Sequence, residues 1–408
     1  MARIIIFLLV IFVISTSCKK ELVKKVALQE DVFFLANDSL QGRETGTPEE
    51  LIVANYLQQR MENIGLLPKG NAGTYFQTFT FKPKTEPHTK AQFVSSDGSI
   101  TGTNVIGYID NQAKKTVVIG AHYDHLGLGG EGSLYTEGEA VHNGADDNAS
   151  GVGIMLQLAE KLKDSITGSN YLFIGFSGEE MGLLGSNYFC KNPTIDFDFA
   201  NYMINMDMVG RLSEDKTLSI TGTGTAPIWN QVLNSTNPGF KLVLGESGMG
   251  PSDHTSFYLQ DIPALHFFTG QHEDYHKPSD DAEKLNYEGM RMIGDYIMEV
   301  IAELDDKPKL SFRTTKNESE EVPRFKVMLG VMPDYLFDGE GMRIDGVSED
   351  RPAYNAGLLK GDIVVQLGDS TVVDMMSYMR ALSAFEEGNT AKVVVDRDGK
   401  KVEAEVTF

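Results

Sequence analysis

A chain of 408 residues with 41% hydrophobic side chains has room for one large and one small domain and an ordinary globular core. Its 58 acidic side chains outweigh 36 basic ones, for a net charge of −22 with no basic stripe to offset it, so no nucleic-acid partner is expected. Part of the acidity suits a cation site, and the bulk of it is solvated surface.

In chain order, Arg3 precedes an unbroken apolar run over 4–14, followed by small residues and Cys18. A charged start, an apolar core and a small-residue end predict an export signal, and the run is too short for an ordinary membrane-spanning helix. Ending on Cys18, it resembles a bacterial lipoprotein signal, although Ser15 stands where such signals carry leucine. The resemblance implies a lipid anchor on Cys18 and a place in the bacterial cell envelope, periplasmic or outer-membrane associated, with plain secretion as the alternative. Only Cys190 would then remain, so no disulfide framework is expected.

A basic tether fills 19–27. Residues 28–67 contain a helix on which Leu51, Ile52, Leu57, Met61 and Ile64 are expected to share a face. The stretch 75–81 alternates aromatic and polar residues and predicts strands. Three short runs rich in β-branched and aromatic residues, 116–121, 171–177 and 202–206, predict buried strands. Between the first two, Val152, Met155, Leu156, Ala159 and Leu162 recur at helical spacing, which makes a strand, helix, strand order. A long amphipathic helix is predicted over 287–304, with Met290, Ile293, Ile297, Ile301 and Leu304 inward. Residues 306–324, polar and proline-punctuated, predict a linker. The remainder, 325–408, predicts a small β-rich module with strands at 342–347, 362–367 and 392–395 and a helix near 374–384. No internal repeat or long low-complexity tract appears.

His122, Glu179, Glu180 and Asp207 fall where these runs give out, and Asp146 and His276 complete the series of acids and histidines. In open sheets, ligands bind beyond the carboxyl ends of the strands. Zinc accepts imidazole nitrogen and carboxylate oxygen, and a pair of zincs about 3.5–4 Å apart needs one bridging carboxylate with terminal ligands on each side. Adjacent Glu179 and Glu180 need not share a role, because neighbouring side chains diverge at a strand end. The Met-rich run 203–208 reads as core filling.

The segments 121–124, 143–151, 176–182, 205–208 and 274–278, joined by 40–47 and 252–257, resemble the co-catalytic di-zinc aminopeptidase family, whose relatives include glutaminyl cyclases and glutamate carboxypeptidases. The likeness spans residues 28–305. It implies a mixed, mostly parallel α/β sheet flanked by helices and two zinc ions per chain. By position it implies His122 and Asp207 on one zinc, Glu180 and His276 on the other, Asp146 bridging, Glu179 as general base and Asp124 orienting His122. Asp147 is expected to support the turn and Asp253 to anchor its loop. His125, His142, His254, His266 and His272 receive no ligand role, and His254 is expected nearest the pocket.

Residues 351–362 and 329–331 resemble a PDZ domain of the bacterial protease type. That implies binding of peptide C-termini by strand addition, the carboxylate held by amides of Leu329, Gly330, Val331 and Met332; a module that merely packs on the first domain is the alternative. Together the resemblances imply a zinc aminopeptidase acting on peptide substrates. A glutaminyl cyclase shares much of the ligand set, a carboxypeptidase for acidic dipeptides would need basic groups such as Arg211 and Lys277, and a non-catalytic PDZ adaptor would not need Glu179.

Overall fold

The computed structural model describes residues 28–82, 92–93, 99–130, 132–315, 327–334, 337, 339–348 and 351–408. The expected signal over 1–18 with Cys18, the tether over 19–27 and the end of the expected linker lie outside the described residues.

The first unit runs through α1 (Leu28–Leu35), α2 (Pro48–Ile64), β1 (Leu67–Pro68), β2 (Phe76–Lys82), β3 (Gln92–Phe93), β4 (Ile100–Ile109), β5 (Thr116–His122), α3 (Gly151–Leu162) and β6 (Asn170–Phe176). It continues with α4 (Leu184–Lys191), β7 (Ala200–Met206), β8 (Thr217–Thr221), α5 (Trp229–Ser235), β9 (Lys241–Leu244), α6 (His254–Tyr258), β10 (Ala264–Phe268) and α7 (Tyr287–Leu304). Ten strands form one sheet in the order β3-β2-β4-β6-β5-β7-β10-β8-β9, with β1 paired to β4. The centre, β6-β5-β7-β10, is parallel. Strands β1 to β4 join antiparallel, and β8 pairs antiparallel with β10.

Every residue of β5, β6 and β7 is buried, as expected where helices cover both faces of a parallel sheet. Because β6, β5 and β7 are parallel neighbours, their carboxyl ends open at one edge. His122 closes β5, Glu179 follows β6 by three residues, and Asp207 follows β7 directly. Helix α3 buries the five positions read from its periodicity, and α7 buries Met290, Ile293, Ile297, Ile301 and Leu304.

Helix α2 differs from its expected face. Leu51 and Ile52 are half exposed, and the buried stripe is Glu50, Val53, Ala54, Leu57, Met61 and Ile64. Steps of three and four residues keep that set on one side of the helix, whereas Leu51 and Ile52 lie one and two residues ahead of it. The helix starts where Thr47 Oγ1 accepts the Glu50 amide at 3.2 Å, with Pro48 in its first turn, and stops at Gly65 in the left-handed region.

The second unit contains β11 (Val331–Pro333), β12 (Met342–Val347), α8 (Pro352–Asn355), β13 (Ile363–Leu367), β14 (Ser370–Thr371), α9 (Met375–Leu382), β15 (Thr390–Arg397) and β16 (Lys400–Thr407). It is an antiparallel sheet in the order β11-β12-β13-β15-β16, with β14 on β13. Leu329, Ile344, Ala353, Val364, Leu367, Val393 and Val395 form its core, separate from that of the first unit. The expected linker is not free at its start. Lys309 Nζ donates to the Asp198 carbonyl at 2.8 Å, Leu310 N to Asn201 Oδ1 at 2.8 Å and Arg313 N to the Thr225 carbonyl at 2.8 Å, which lays this stretch along the first unit.

Candidate metal centre

Beyond the central strands, two groups of nitrogen and oxygen donors face each other across one carboxylate. That carboxylate belongs to Asp147. Its Oδ1 lies 3.3 Å from His122 Nε2 and its Oδ2 3.1 Å from His276 Nε2. Asp207 Oδ1 lies 3.3 Å from His122 Nε2 on one side, and Glu180 Oε2 lies 3.4 Å from His276 Nε2 on the other. Expected residues His122, Glu180, Asp207 and His276 are therefore brought together.

Asp146 is not the shared carboxylate, and this corrects the expectation. Its Oδ1 accepts the Gly210 amide at 2.6 Å and its Oδ2 sits 3.2 Å from His272 Nε2, away from His122 and His276. The turn begins at Gly144 in the left-handed region, and Asp280 Oδ2 accepts the amides of both Asp146 and Asp147, at 2.8 and 3.1 Å. With both amides held on one carboxylate, the two side chains leave in different directions, and Asp147 receives the central place.

The local structure also fixes ring orientation. His276 Nδ1 donates to the Gly132 carbonyl at 2.7 Å, which leaves Nε2 as the lone pair facing Asp147 and Glu180. His276 itself has φ 53°, a conformation that non-glycine residues adopt sparingly and that clusters at functional positions. His122 Nδ1 lies 3.3 Å from the Asp124 carbonyl and 3.6 Å from its carboxylate, so its Nε2 also turns inward. Asp124 accepts the Glu179 and Glu180 amides at 3.2 and 3.4 Å, and Thr45 Oγ1 donates to it at 3.1 Å. Ser252 Oγ donates to Asp207 Oδ2 at 2.6 Å.

Arg43, within the 40–47 segment, carries no role that the sequence reveals. It is buried, and donates Nε to the Tyr123 carbonyl at 2.7 Å, Nη1 to that of Leu35 at 3.1 Å and to that of Asn143, and Nη2 to that of Gly144 at 2.7 Å and to that of Asp147 at 3.3 Å. Burial lowers its pKa to about 10, still a cation at neutral pH, with Asp147, Asp124 and Asp280 supporting the charge. Gly42 lets this chain approach, since a Cβ there would meet the Gly127 carbonyl oxygen at 2.3 Å. No local periodicity marks such an arginine. Its partners are backbone carbonyls as far as a hundred residues away.

The electrostatics call for positive charge. Burial works against an imidazolium at His276, yet Glu180 and Asp147 outweigh it and carry the pKa up to about 9. His122 rises well above the usual histidine value by the same contest, burial being overcome chiefly by Asp207 and Glu179. Burial pushes Glu179 well above the usual carboxylate range, with Asp207, Glu180 and Asp253 adding to it and His122 opposing. Ligands bonded to one zinc at about 2.0–2.2 Å stand roughly 3 Å apart, and the separations given above, 3.1 to 3.4 Å, match. Imidazole nitrogen and carboxylate oxygen arranged around a shared carboxylate form a zinc donor set.

A cleft of about 240 Å³ lies over the centre, walled by Met208, Ser219, Thr221, Met249, Pro251, His266, Phe268, Gln271 and Tyr275. His266, not His254, borders it, and the buried His254 stacks behind, ring centroids 4.7 Å apart. Arg211 is committed to Asp274 at 2.9 Å and Asp280 at 3.4 Å.

In the second unit, Leu329, Gly330, Val331 and Met332 border a groove whose other wall is Met375, Tyr378, Met379 and Leu382. Gln271 and Tyr275 border both recesses.

Residues 104–301 match the model for peptidase family M28, and residues 308–408 match that for the PDZ domain. The larger unit is thus similar to peptidase family M28, and the smaller one to a PDZ domain. Over 185 residues the chain is 30% identical to the alkaline phosphatase isozyme conversion protein of Escherichia coli, covering 45% of this chain and 51% of that protein. Over 240 residues it is 27% identical to aminopeptidase YwaD of Bacillus subtilis, covering 54% and 50%. The chain thus spans about half the length of these curated relatives. Its fold resembles that of BSAP, a zinc aminopeptidase from Bacillus subtilis, with a TM-score of 0.53 and 18% identity over 70% of this chain and 95% of that one. The glutaminyl cyclase of Bacteroides thetaiotaomicron has an equal TM-score of 0.53, with 20% identity over 68% and 98%.

Proposed function

We propose that this chain is a zinc aminopeptidase that removes N-terminal residues from peptides. The observation that carries this reading is Asp147, one carboxylate facing the His122–Asp207 pair with one oxygen and the Glu180–His276 pair with the other. His122, Asp147 and Asp207 would hold one zinc, and Asp147, Glu180 and His276 the other. When bound, the zincs acidify water and polarise a carbonyl.

Glu179 supplies the proton chemistry. It lies beside the donor groups, its Oε2 3.9 Å from His122 Nε2, while its own amide is held on Asp124. Its raised pKa suits a carboxylate that takes a proton from the attacking water and returns it to the leaving amine. The cleft wall of Met208, Met249, Pro251 and Phe268 suits an apolar N-terminal side chain. With Arg211 bound to Asp274 and Asp280, an acidic-dipeptide carboxypeptidase finds little support.

A panel of aminoacyl reporters, assayed with chelator and after zinc is restored, tests the assignment. Release from free peptides but not from N-acetylated ones is expected, and equal rates on both would sink it. The equal likeness to a glutaminyl cyclase keeps one second reading, which conversion of N-terminal glutamine to a cyclic product without peptide cleavage would select.

Two further parts rest on sequence. The PDZ groove would take peptide C-termini on the amides of Leu329, Gly330, Val331 and Met332, and a titrated C-terminal peptide library with no binder would refute it. Residues 1–18 would export the chain and anchor it by lipid on Cys18 in the cell envelope. Metabolic labelling with an alkyne fatty acid checks this, and label undiminished in Cys18→Ala would count against it.

A further inference from the structure

His125 follows β5 by three residues and received no role in the sequence, yet its ring is buried at the Glu180 side of the centre. Its Nδ1 lies 2.7 Å from Glu180 Oε1. Neither atom has a hydrogen-bond partner among the described residues, because the approach lacks the alignment a hydrogen bond needs. Two buried polar atoms this close, each without a bond, cost free energy unless something positive lies against both. Donor atoms of His125, Asp147 and Glu180 all fall within 4.8 Å of one another. The place is built for the ring: Gly144 is in the left-handed region, and a Cβ there would meet His125 Cγ and Cδ2 at 2.5 Å. The His276 ring stands edge-on, its centroid 5.9 Å away.

We propose that His125 is a further protein ligand of the metal on the Glu180–His276 side, binding through Nδ1. That ion would have Asp147, Glu180, His276 and His125, two nitrogens and two carboxylates. Its partner would have His122, Asp147 and Asp207 alone. Four protein ligands close a tetrahedral zinc, whereas three leave a position open. The two sites are therefore unequal: the Glu180 side fills first and binds tighter, and the His122 side keeps the open position. This rests on the two-metal reading above.

The test uses the full chain loaded with one and then two equivalents of zinc, with imidazoles per zinc counted by X-ray absorption fine structure and affinity measured by competition with a chromophoric chelator. At one equivalent, wild type should show two imidazoles on its zinc, and at two equivalents three imidazoles over two zincs. His125→Ala should lose one imidazole at each stage and weaken the tighter site by more than the roughly 10–100-fold that loss of an outer hydrogen bond costs. Fluorescence of the single tryptophan, Trp229, reports whether the variant folds, and His125→Gln, which preserves more bulk, serves if it does not. An unchanged imidazole count in the variant overturns the proposal, even with weaker binding, because His125 would then only steady Glu180. A wild type with two zincs and one imidazole on each overturns it while leaving the aminopeptidase assignment standing. A wild type that binds no zinc overturns both.

Discussion

Glu179 and Glu180 are consecutive, and their amides are held by the same Asp124 carboxylate, yet their side chains meet different surroundings. Glu180 reaches His276, while Glu179 stays beside the donor groups with its pKa raised by burial. Glu179→Gln is therefore expected to lower kcat by about 10²–10⁴ while keeping both zincs, read by steady-state kinetics beside elemental analysis. Asp147→Asn and Asp146→Asn separate two adjacent acids. The first should lose zinc, since one oxygen serves each donor group. The second should keep its zinc and lose about 1–3 kcal/mol of stability, measured by urea unfolding, because the Gly210 amide loses a charged acceptor. The choice between these two aspartates is where the sequence stops being legible. Residue type, strand-end position and the family resemblance together point to His122, Glu180, Asp207 and His276, but an irregular turn has no period. Which acid faces the metals depends on Asp280 holding both amides, a contact more than a hundred residues away. His125 is illegible for a related reason: its neighbours in space come from the loops after β6 and β10 and from the turn at Gly144.

At the scale of elements, the parallel centre explains why so much of the fold can be read directly. Strands buried on both faces are continuous apolar runs, so β5, β6 and β7 stand out, and the 3.6-residue stripe of α7 is unambiguous. The stripe on α2 is not legible in the sequence, because Leu51 and Ile52 are apolar yet exposed, while Glu50 is polar yet buried. Glu50 accepts from Ser177 Oγ at 2.6 Å, the Gly46 amide at 2.9 Å and Tyr123 Oη at 3.0 Å, all from outside the helix. Ile297→Ala on α7, fully buried, should destabilise by about 2–5 kcal/mol. Thr47→Ala at the start of α2 should remove about 1 kcal/mol. Denaturant titrations followed by Trp229 fluorescence compare the two, and a larger loss for Thr47→Ala would contradict the packing described.

At the scale of the whole molecule, the main cores of the two units share no residue among those described, and the sole tryptophan sits in the larger one. Far-UV circular dichroism and Trp229 fluorescence should therefore give separate transitions. Arg397→Ala offers a way to move one alone. Its guanidinium holds the buried Asp362 with two contacts of 2.7 Å, and removing it leaves that carboxylate without its cation, about 3 kcal/mol lost from the PDZ domain only. Fluorescence that shifted equally would mean the two units unfold together. Arg43 acts across a comparable span of chain, tying the last carbonyl of α1 to those beside His122 and in the Gly144 turn. These bonds engage backbone, not the donor atoms, so they persist when no ion is present. Many small zinc domains exist in folded form only while metal is bound, because coordination supplies their folding free energy. Here the scaffold of the centre is assembled by an organic cation built into the chain, and reloading a stripped molecule should proceed at the pace of ion arrival, with no refolding step in between.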